Sequence, residues 1–251
     1  MGSEYQNLAK SAVVGKTLKY GQGDILHCSA FSGKNNTIIA DSPKATKVYS
    51  VEFYECIDPN KKSYKVVKIG NQVWMAENLA YLPAVSAMAT SSSTEPHYYV
   101  YGYNGTDIDA AKATTKATNI YTNYGVLYNW PAAMTACPSG WHLPSDAEWT
   151  TLVDYLGGKV NAGNKLKEAA TTHWSEDTGA TNESGFTALP GGVRVSGGGF
   201  GQNGHYGYWW SSTEHTTSDE ARLRYLVYSD STVHRDHGVK RNGISVRCVK
   251  D

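Results

Sequence analysis

The sequence predicts an α+β domain, two helices set against a mixed, loop-rich antiparallel sheet, and three observations carry this. First, a capped amphipathic segment begins at Ser145: Ser145 and Glu148 stand at capping-box spacing, and Trp149, Leu152, Val153 and Leu156 recur at i, i+3, i+4 and i+7. Second, Gly70-Asn71 separates two apolar runs, 64–69 and 72–75, as the turn of a tight hairpin does. Third, beyond Thr187 the chain breaks into short β-like runs punctuated by glycine and asparagine. The 25 glycines, 18 tyrosines and 7 tryptophans, against four each of Phe and Met, favour loops and aromatic packing over long helices.

Along the chain, residues 1–60 read as a β-rich N-terminal extension with β-like runs at Ile38-Ile39 and 47–54, ending at Asp58-Pro59-Asn60. The main domain is then 61–251. After the hairpin, 81–123 is rich in Ala, Ser, Thr, Tyr and Gly and reads as a long surface excursion with little regular structure. A strand is expected at 124–129 and a short helix at 131–136, where Pro131 suits the first turn. The helix from Ser145 stops at Gly157-Gly158, and a shorter helix is expected over 163–170. Strands follow at 188–195, 208–213, 221–228, around Val233, and at 243–249.

With 251 residues the chain can bury a substantial core. Lys plus Arg equals Asp plus Glu, 23 each, so the charge balance points to neither nucleic acid nor an anionic membrane as a partner. No run of about twenty apolar residues exists, which excludes a helical membrane span within this sequence. The four cysteines, Cys28, Cys56, Cys137 and Cys248, lack zinc-site spacing. Two disulfides, Cys28–Cys56 and Cys137–Cys248, are the preferred reading, with a reactive thiol as the alternative. An extracellular or cell-surface location goes with it. The opening Met1-Gly2-Ser3 reads as an added leader, which leaves a removed signal segment or lipid anchor open.

The segment from Ala221 onward is the most informative. Arg224, Leu226 and Tyr228 share one parity, continued after a turn at Ser229-Asp230 by Ser231, Val233 and Arg235. The other parity carries Leu223, Tyr225 and Val227, then Thr232, His234 and Asp236, a mixture without a chemical theme. Successive strand residues point to opposite faces. One regular face and one arbitrary, outward face are therefore expected, and an arbitrary outward face with contiguous apolar groups marks a contact surface. Arg224 and Arg235, if inward, need buried partners. The alternative is an ordinary edge hairpin with a solvated face.

The runs CPSGWHLPSDAEWTTLVDYLGG, FTALPGGVRVSGG, YGYWWSSTE and GISVRCVKD, with VKIGNQVWMAENLAYLP from Val67, resemble the Fibrobacter succinogenes major paralogous domain over roughly 63–251. More distantly, HLPSDAEW and Arg247 before Cys248 resemble the formylglycine-generating-enzyme branch of the C-type lectin fold. The resemblance implies that fold: two helices beside a twisted, loop-rich antiparallel sheet with a ligand-facing side. It further implies a variable protein of a diversity-generating retroelement, in which adenines of Asn codons are randomised. Such randomisation cannot yield Lys, Glu, Gln, Met or Trp. Within a variable region of about 205–242, His205, Tyr206, Arg222, Leu223, Tyr225, Val227, Ser229, Asp230, Thr232, His234, Asp236, His237, Gly238, Val239 and Arg241 all fall in the reachable set. Glu214, Glu220 and Lys240 fall outside it, at positions read as fixed or left unassigned.

The function expected is therefore a non-catalytic protein that binds a protein or other surface ligand through a diversified face. The alternative is a fixed-specificity surface adhesin or structural surface protein of the same fold. Tyr206, Tyr225 and Trp210 are the expected aromatic anchors, although at least one of Trp209 and Trp210 is expected in the core. Catalysis is not expected, since no cysteine pair like that of the generating enzyme is recognisable, and capping and the helix dipole account for Asp146 and Glu148. No cofactor is expected. Calcium-dependent sugar binding lacks its Glu-Pro-Asn or Gln-Pro-Asp loop and its Trp-Asn-Asp strand. Gly- and Asn-rich loops leave a structural calcium open without singling out its ligands. The run His234-Arg235-Asp236-His237 has metal-binding side chains, but histidines scattered on a variable surface are the simpler account.

Overall fold

The computed structural model describes residues 21, 23–116, 119–176 and 179–251, so residues 1–20 of the N-terminal extension lie outside the described residues. The extension begins with a hairpin of β1 (Leu26–Ser32) and β2 (Asn35–Asp41). The expected hairpin follows as β3 (Val66–Ile69) and β4 (Gln72–Met75). Its turn uses Gly70 at φ 61°, and a Cβ there would come within 2.9 Å of the Tyr155 ring, so glycine answers both the dihedral and the packing.

Next come β5 (Tyr98–Tyr99), α1 (Ile108–Lys116), α2 (Ile120–Tyr124), β6 (Leu127–Tyr128), α3 (Trp130–Ala136) and β7 (Trp141–His142). They are followed by α4 (Asp146–Tyr155), α5 (Lys159–Leu166), β8 (Val193–Arg194) and β9 (Phe200–Gly201). The chain closes with β10 (Tyr206–Glu214), β11 (Glu220–Val227), β12 (His234–Val239) and β13 (Val249–Lys250). One sheet runs β1-β2-β3-β4-β13-β7 and a second β10-β11-β12, with β5-β6 and β8-β9 as two-stranded pairs. The protein is α+β, as expected, but it is not wholly antiparallel: β2 runs parallel to β3 through Ile38↔Val67. Asn36 locks that junction, its side chain donating to Tyr64 O (2.8 Å) and accepting from Val66 N (2.9 Å).

The local signals at α3 and α4 are realised. Asn129 caps α3 by accepting from Ala132 N, with Pro131 in the first turn. Both halves of the Ser145–Glu148 capping box form on α4. Elsewhere the structure departs from expectation. The 81–123 segment holds two helices, because Asp107 caps α1 through Ala110 N (2.6 Å) and buried Ala111 and Tyr124 anchor α1 and α2 to the core. The helix expected at 163–170 is α5, starting directly after Gly157-Gly158. Gly163 sits inside it because a Cβ there would come within 2.4 Å of Ser231 O, and Lys167 turns extended to bridge Ala188. The expected strand at 243–249 is mostly a run of single bridges, Arg194↔Gly243, Tyr128↔Ile244 and Trp209↔Ser245, before β13.

The core has two lobes that share β10. One gathers Tyr64, Met75, Tyr128, Trp210 and Cys248; the other gathers Trp74, Trp149, Phe186 and Trp209. The strand pleat sends adjacent Trp209 and Trp210 to opposite lobes, so both are core. Trp210 is therefore not the surface anchor expected of it. Trp74 and Trp149 meet at 4.8 Å between ring centroids. Arg247 is wholly buried between the lobes, donating to Asn78 Oδ1, Met75 O, Phe186 O and Thr187 O and lying 4.4 Å over the Phe186 ring. Burial pulls its guanidinium down to about 9, opposed by Glu77.

Cys137 and Cys248 form the expected disulfide, with Cα atoms 5.9 Å apart across a separation of 111 residues. By the chain-entropy argument, closing so long a loop contributes about 4 kcal/mol. The Cys28–Cys56 pairing is overturned: both thiols are free. Cys28 lies on edge strand β1 opposite Ile39, whereas Cys56 is buried beside Tyr64, whose N–H it accepts, and β2 stands between. Burial, with Asp58 and Glu77 nearby, pushes the Cys56 thiol up, so it is an inert core residue rather than a reactive one.

Candidate ligand-binding face

β10, β11 and β12 form an antiparallel sheet whose register fixes what each face presents. Tyr206, Tyr208 and Trp210 stand opposite Val227, Tyr225 and Leu223, and on the other side of β11 Tyr225 and Leu223 stand opposite His234 and Asp236. These residues share one face. Arg222, Arg224, Arg235 and His237, paired as Arg222↔His237 and Arg224↔Arg235, take the other.

The second face packs on α4. Arg224 is buried and donates to Asp146 Oδ1 (2.5 Å), Asp146 O (3.1 Å) and Thr150 Oγ1 (3.1 Å), while the more exposed Arg235 reaches Asp146 Oδ2 at 2.7 Å. Asp146 is thus the shared counter-ion of a cross-strand arginine pair, a role beyond the first-turn carboxylate legible in sequence. Burial raises its pKa, but Arg235 and Arg224 outweigh that and hold it below the usual carboxylate range.

The first face is aromatic. Tyr206 and Tyr208 stack in parallel at 5.5 Å, Tyr208 and Tyr225 lie 5.6 Å apart, and His234 stacks on Tyr225 at 4.5 Å. Tyr208, missed in sequence, lies within this array. Burial first, then neighbouring Tyr206, Tyr225 and Asp236, push its phenol up to about 12; burial, Asp236, Tyr206 and Asp230 raise that of Tyr225. Both rings therefore stay neutral at physiological pH. Among the described residues no protein hydrogen bond occupies the hydroxyls of Tyr206, Tyr208 or Tyr225. A cleft of about 330 Å³ beside them is lined by Val193, Tyr206, Tyr208, Tyr225, Asp236 and Asn242, among others. A second cleft, about 510 Å³, lies across β12 between it and α4, where Thr150, Asp154, Lys159, Thr232, His234 and Arg235 meet.

One continuous exposed face is not what the expected residues form. Leu223 and Val227 are buried, at 6% and 9% exposure, because Leu223 joins the lobe around Trp210 and Val227 pairs across to Tyr206. A Cβ on Gly238 would come within 2.9 Å of Leu223 Cδ2, so that position also faces packing. Arg222 and His237 fall on the α4 side. Tyr225, His234 and Asp236 remain accessible together, with Asp236 and His237 exposed.

His205 is exposed at the sheet's end, edge-on to Tyr228 at 5.0 Å. Ser229, Asp230 and Thr232 form the connecting turn: Asp230 accepts from Thr232 N (2.7 Å) and pairs with His234 (3.2 Å), while Ser231 and Val233 dock on α5 and its start. Val239 stands opposite Glu220, and Arg241 pairs with Asp219 at 3.1 Å. Glu214 and Lys240, outside the reachable set, pair with each other at 2.7 Å, and Lys240 lies over the Trp130 ring. His234 and His237 diverge to opposite faces, so the metal pair raised from sequence does not assemble.

Fold and face together define an α+β domain, cross-linked by one disulfide, that carries a neutral aromatic array on a three-stranded sheet. Residues 67–250 match the model of the Fibrobacter succinogenes major domain, and the chain belongs to that family. No curated protein and no solved structure matches. Among the described residues no helix is long and apolar enough to cross a membrane.

Proposed function

We propose that the chain is a non-catalytic ligand- or receptor-binding protein of C-type lectin architecture, displayed outside the cell, whose aromatic face is the variable surface of a diversity-generating retroelement. The observation that carries the reading is the Tyr206–Tyr208–Tyr225–His234 array with unengaged hydroxyls beside a cleft. Tyrosines combine apolar area with a polar handle and lose little entropy when held by stacking, which suits them as anchors for unrelated ligands. The rigid backing of α4 through Asp146 supports the same reading. No catalytic role is assigned: Asp146 is committed to two arginines and Glu148 to its cap and to His142. The disulfide supports an oxidising, extracellular setting.

The genomic neighbourhood tests the proposal. A near-identical second copy of the 3′ end of the gene should lie beside a reverse-transcriptase gene, and codons at Leu223, Val227, Gly238 and Val239 should end in C or T and differ from AAC or AAT only at adenines. Codons ending in A or G at Leu223, Val227, Gly238 and Val239, with no second copy, leave the fixed-specificity adhesin. Burial of Leu223 and Val227 favours that second reading, because randomising a buried position to polar residues costs stability.

A further inference from the structure

At the far end of the same sheet, on the α4 side, three metal-ligating side chains converge that neither sequence motif nor family assigns. His215 follows β10, Glu220 opens β11 and His237 lies in β12, and one ligand atom from each falls within 4.8 Å of the others. We propose that His215, Glu220 and His237 form a zinc site with three protein ligands and a fourth, solvent-facing position.

The spacing carries it. Four ligands at ordinary zinc distances stand about 3.3–3.6 Å from one another along the edges of the tetrahedron. Here His215 Nδ1 lies 3.4 Å from Glu220 Oε2, and His237 Nε2 lies 3.7 Å from the same oxygen. Each nitrogen thus already sits near its tetrahedral separation from the carboxylate; to admit an ion the carboxylate must withdraw and the imidazoles must turn until the ion lies in both ring planes. The imidazoles are parallel, 9° between planes and 4.0 Å between centroids. Two imidazole nitrogens and one carboxylate make a donor set suited to a borderline dication once the rings turn out of this stack.

The surroundings orient these ligands as a metal site's second layer does. Asp236 Oδ1 accepts from His237 N at 2.9 Å and lies 3.2 Å from His237 Nδ1, which leaves Nε2 as the ring nitrogen turned toward Glu220. Thr217 Oγ1 donates to Glu220 Oε2 at 2.5 Å. The backbone holds the positions: His215 N donates to Glu220 O (3.0 Å), Glu220 N to Thr217 O (3.2 Å), and β12 pairs His237 with Arg222, two residues from Glu220. Glu220 and His237 sit on paired strands, and His215, just past β10, is tied back to Glu220 through its backbone, a firmer mount than a free loop. His215 and Glu220 are half-buried and His237 is exposed, so an ion can enter and its fourth position stays open to water or an incoming ligand. The site depends on this chain's own residues and stands or falls independently of the proposed binding role.

Titrating untagged protein with zinc, and separately with cobalt, tests it. One zinc per chain should bind at micromolar concentration or below, cobalt should give the intense visible bands of a four-coordinate ion, and zinc should raise the melting temperature until a chelator reverses it. His215→Ala, Glu220→Gln and His237→Ala should each weaken binding at least about tenfold, and the control His142→Ala not at all. Absence of one-to-one binding or of the cobalt bands in the wild-type chain overturns the proposal without recourse to variants. So does binding that survives all three ligand substitutions, or that His142→Ala removes.

Discussion

The two faces of the β10–β11–β12 sheet differ in how they are held, and the difference runs against the chemistry of their residues. The face that looks wettest in sequence, with Arg222, Arg224 and Arg235, contains a buried guanidinium clamped to α4 through Asp146. The face with Leu223, Tyr225 and Val227 is half core and half array, because Trp210 and the β10 tyrosines cover two of the three. A strand between two neighbours is covered wherever those neighbours carry bulk, so exposure follows the partner's side chains rather than the strand's own polarity.

The α4 face should break first. Asp146→Asn leaves Arg224 buried beside a neutral partner and should cost about 3 kcal/mol in chemical denaturation. Because pairing lowers the folded pKa of Asp146, its contribution is present above the ordinary carboxylate value and lost as pH falls through the lowered one. The variant should therefore show a shallower loss of stability on acidification than the parent. An unchanged acid profile would remove Asp146 from this account.

On the opposite face, Leu223→Ala should cost about 2–3 kcal/mol and Asp236→Ala less than about 0.5 kcal/mol, although both were expected on one exposed surface. Equal, small effects would restore that expectation. Gly238→Ala should cost about 1 kcal/mol, since its Cβ would press on Leu223, and the double variant Gly238→Ala with Leu223→Ala should recover part of the loss. Tyr225→Ser should lower stability by only about 0.5–1 kcal/mol through lost stacking with His234 and Tyr208. Whatever ligand the chain binds, that substitution should weaken binding more than it weakens folding, measured as affinity beside melting temperature.

Signals contained within a few residues were legible in the sequence. The Ser145–Glu148 box, the Pro131 helix start and the Gly70-Asn71 turn each involve local hydrogen bonds or dihedrals, and each forms where its spacing says. The α5 boundary failed because Gly163 answers to Ser231, a residue far along the chain. The 81–123 segment failed because its helices, capped though α1 is by Asp107, rest on distant core contacts at Ala111 and Tyr124. Of the candidate site, Tyr225 and His234 were legible as one parity of an alternating segment and Tyr206 as an aromatic anchor, but Tyr208 was passed over although its parity matches Tyr206.

By itself the sequence determined the α+β class, family membership over 67–250, the capped helix and the presence of Cys137 and Cys248 in its characteristic motifs, because local hydrogen bonds and long specific runs need no distant partner to be read. Only the tertiary structure decided that Cys137 joins Cys248 while Cys28 and Cys56 stay free, that Trp209 and Trp210 go to opposite lobes, that Asp146 holds two arginines, and that His237 meets His215 rather than His234. Each of these depends on which strand lies beside which, and strand neighbours here are set by contacts between residues far apart in the chain, which the pleat's period of two leaves open.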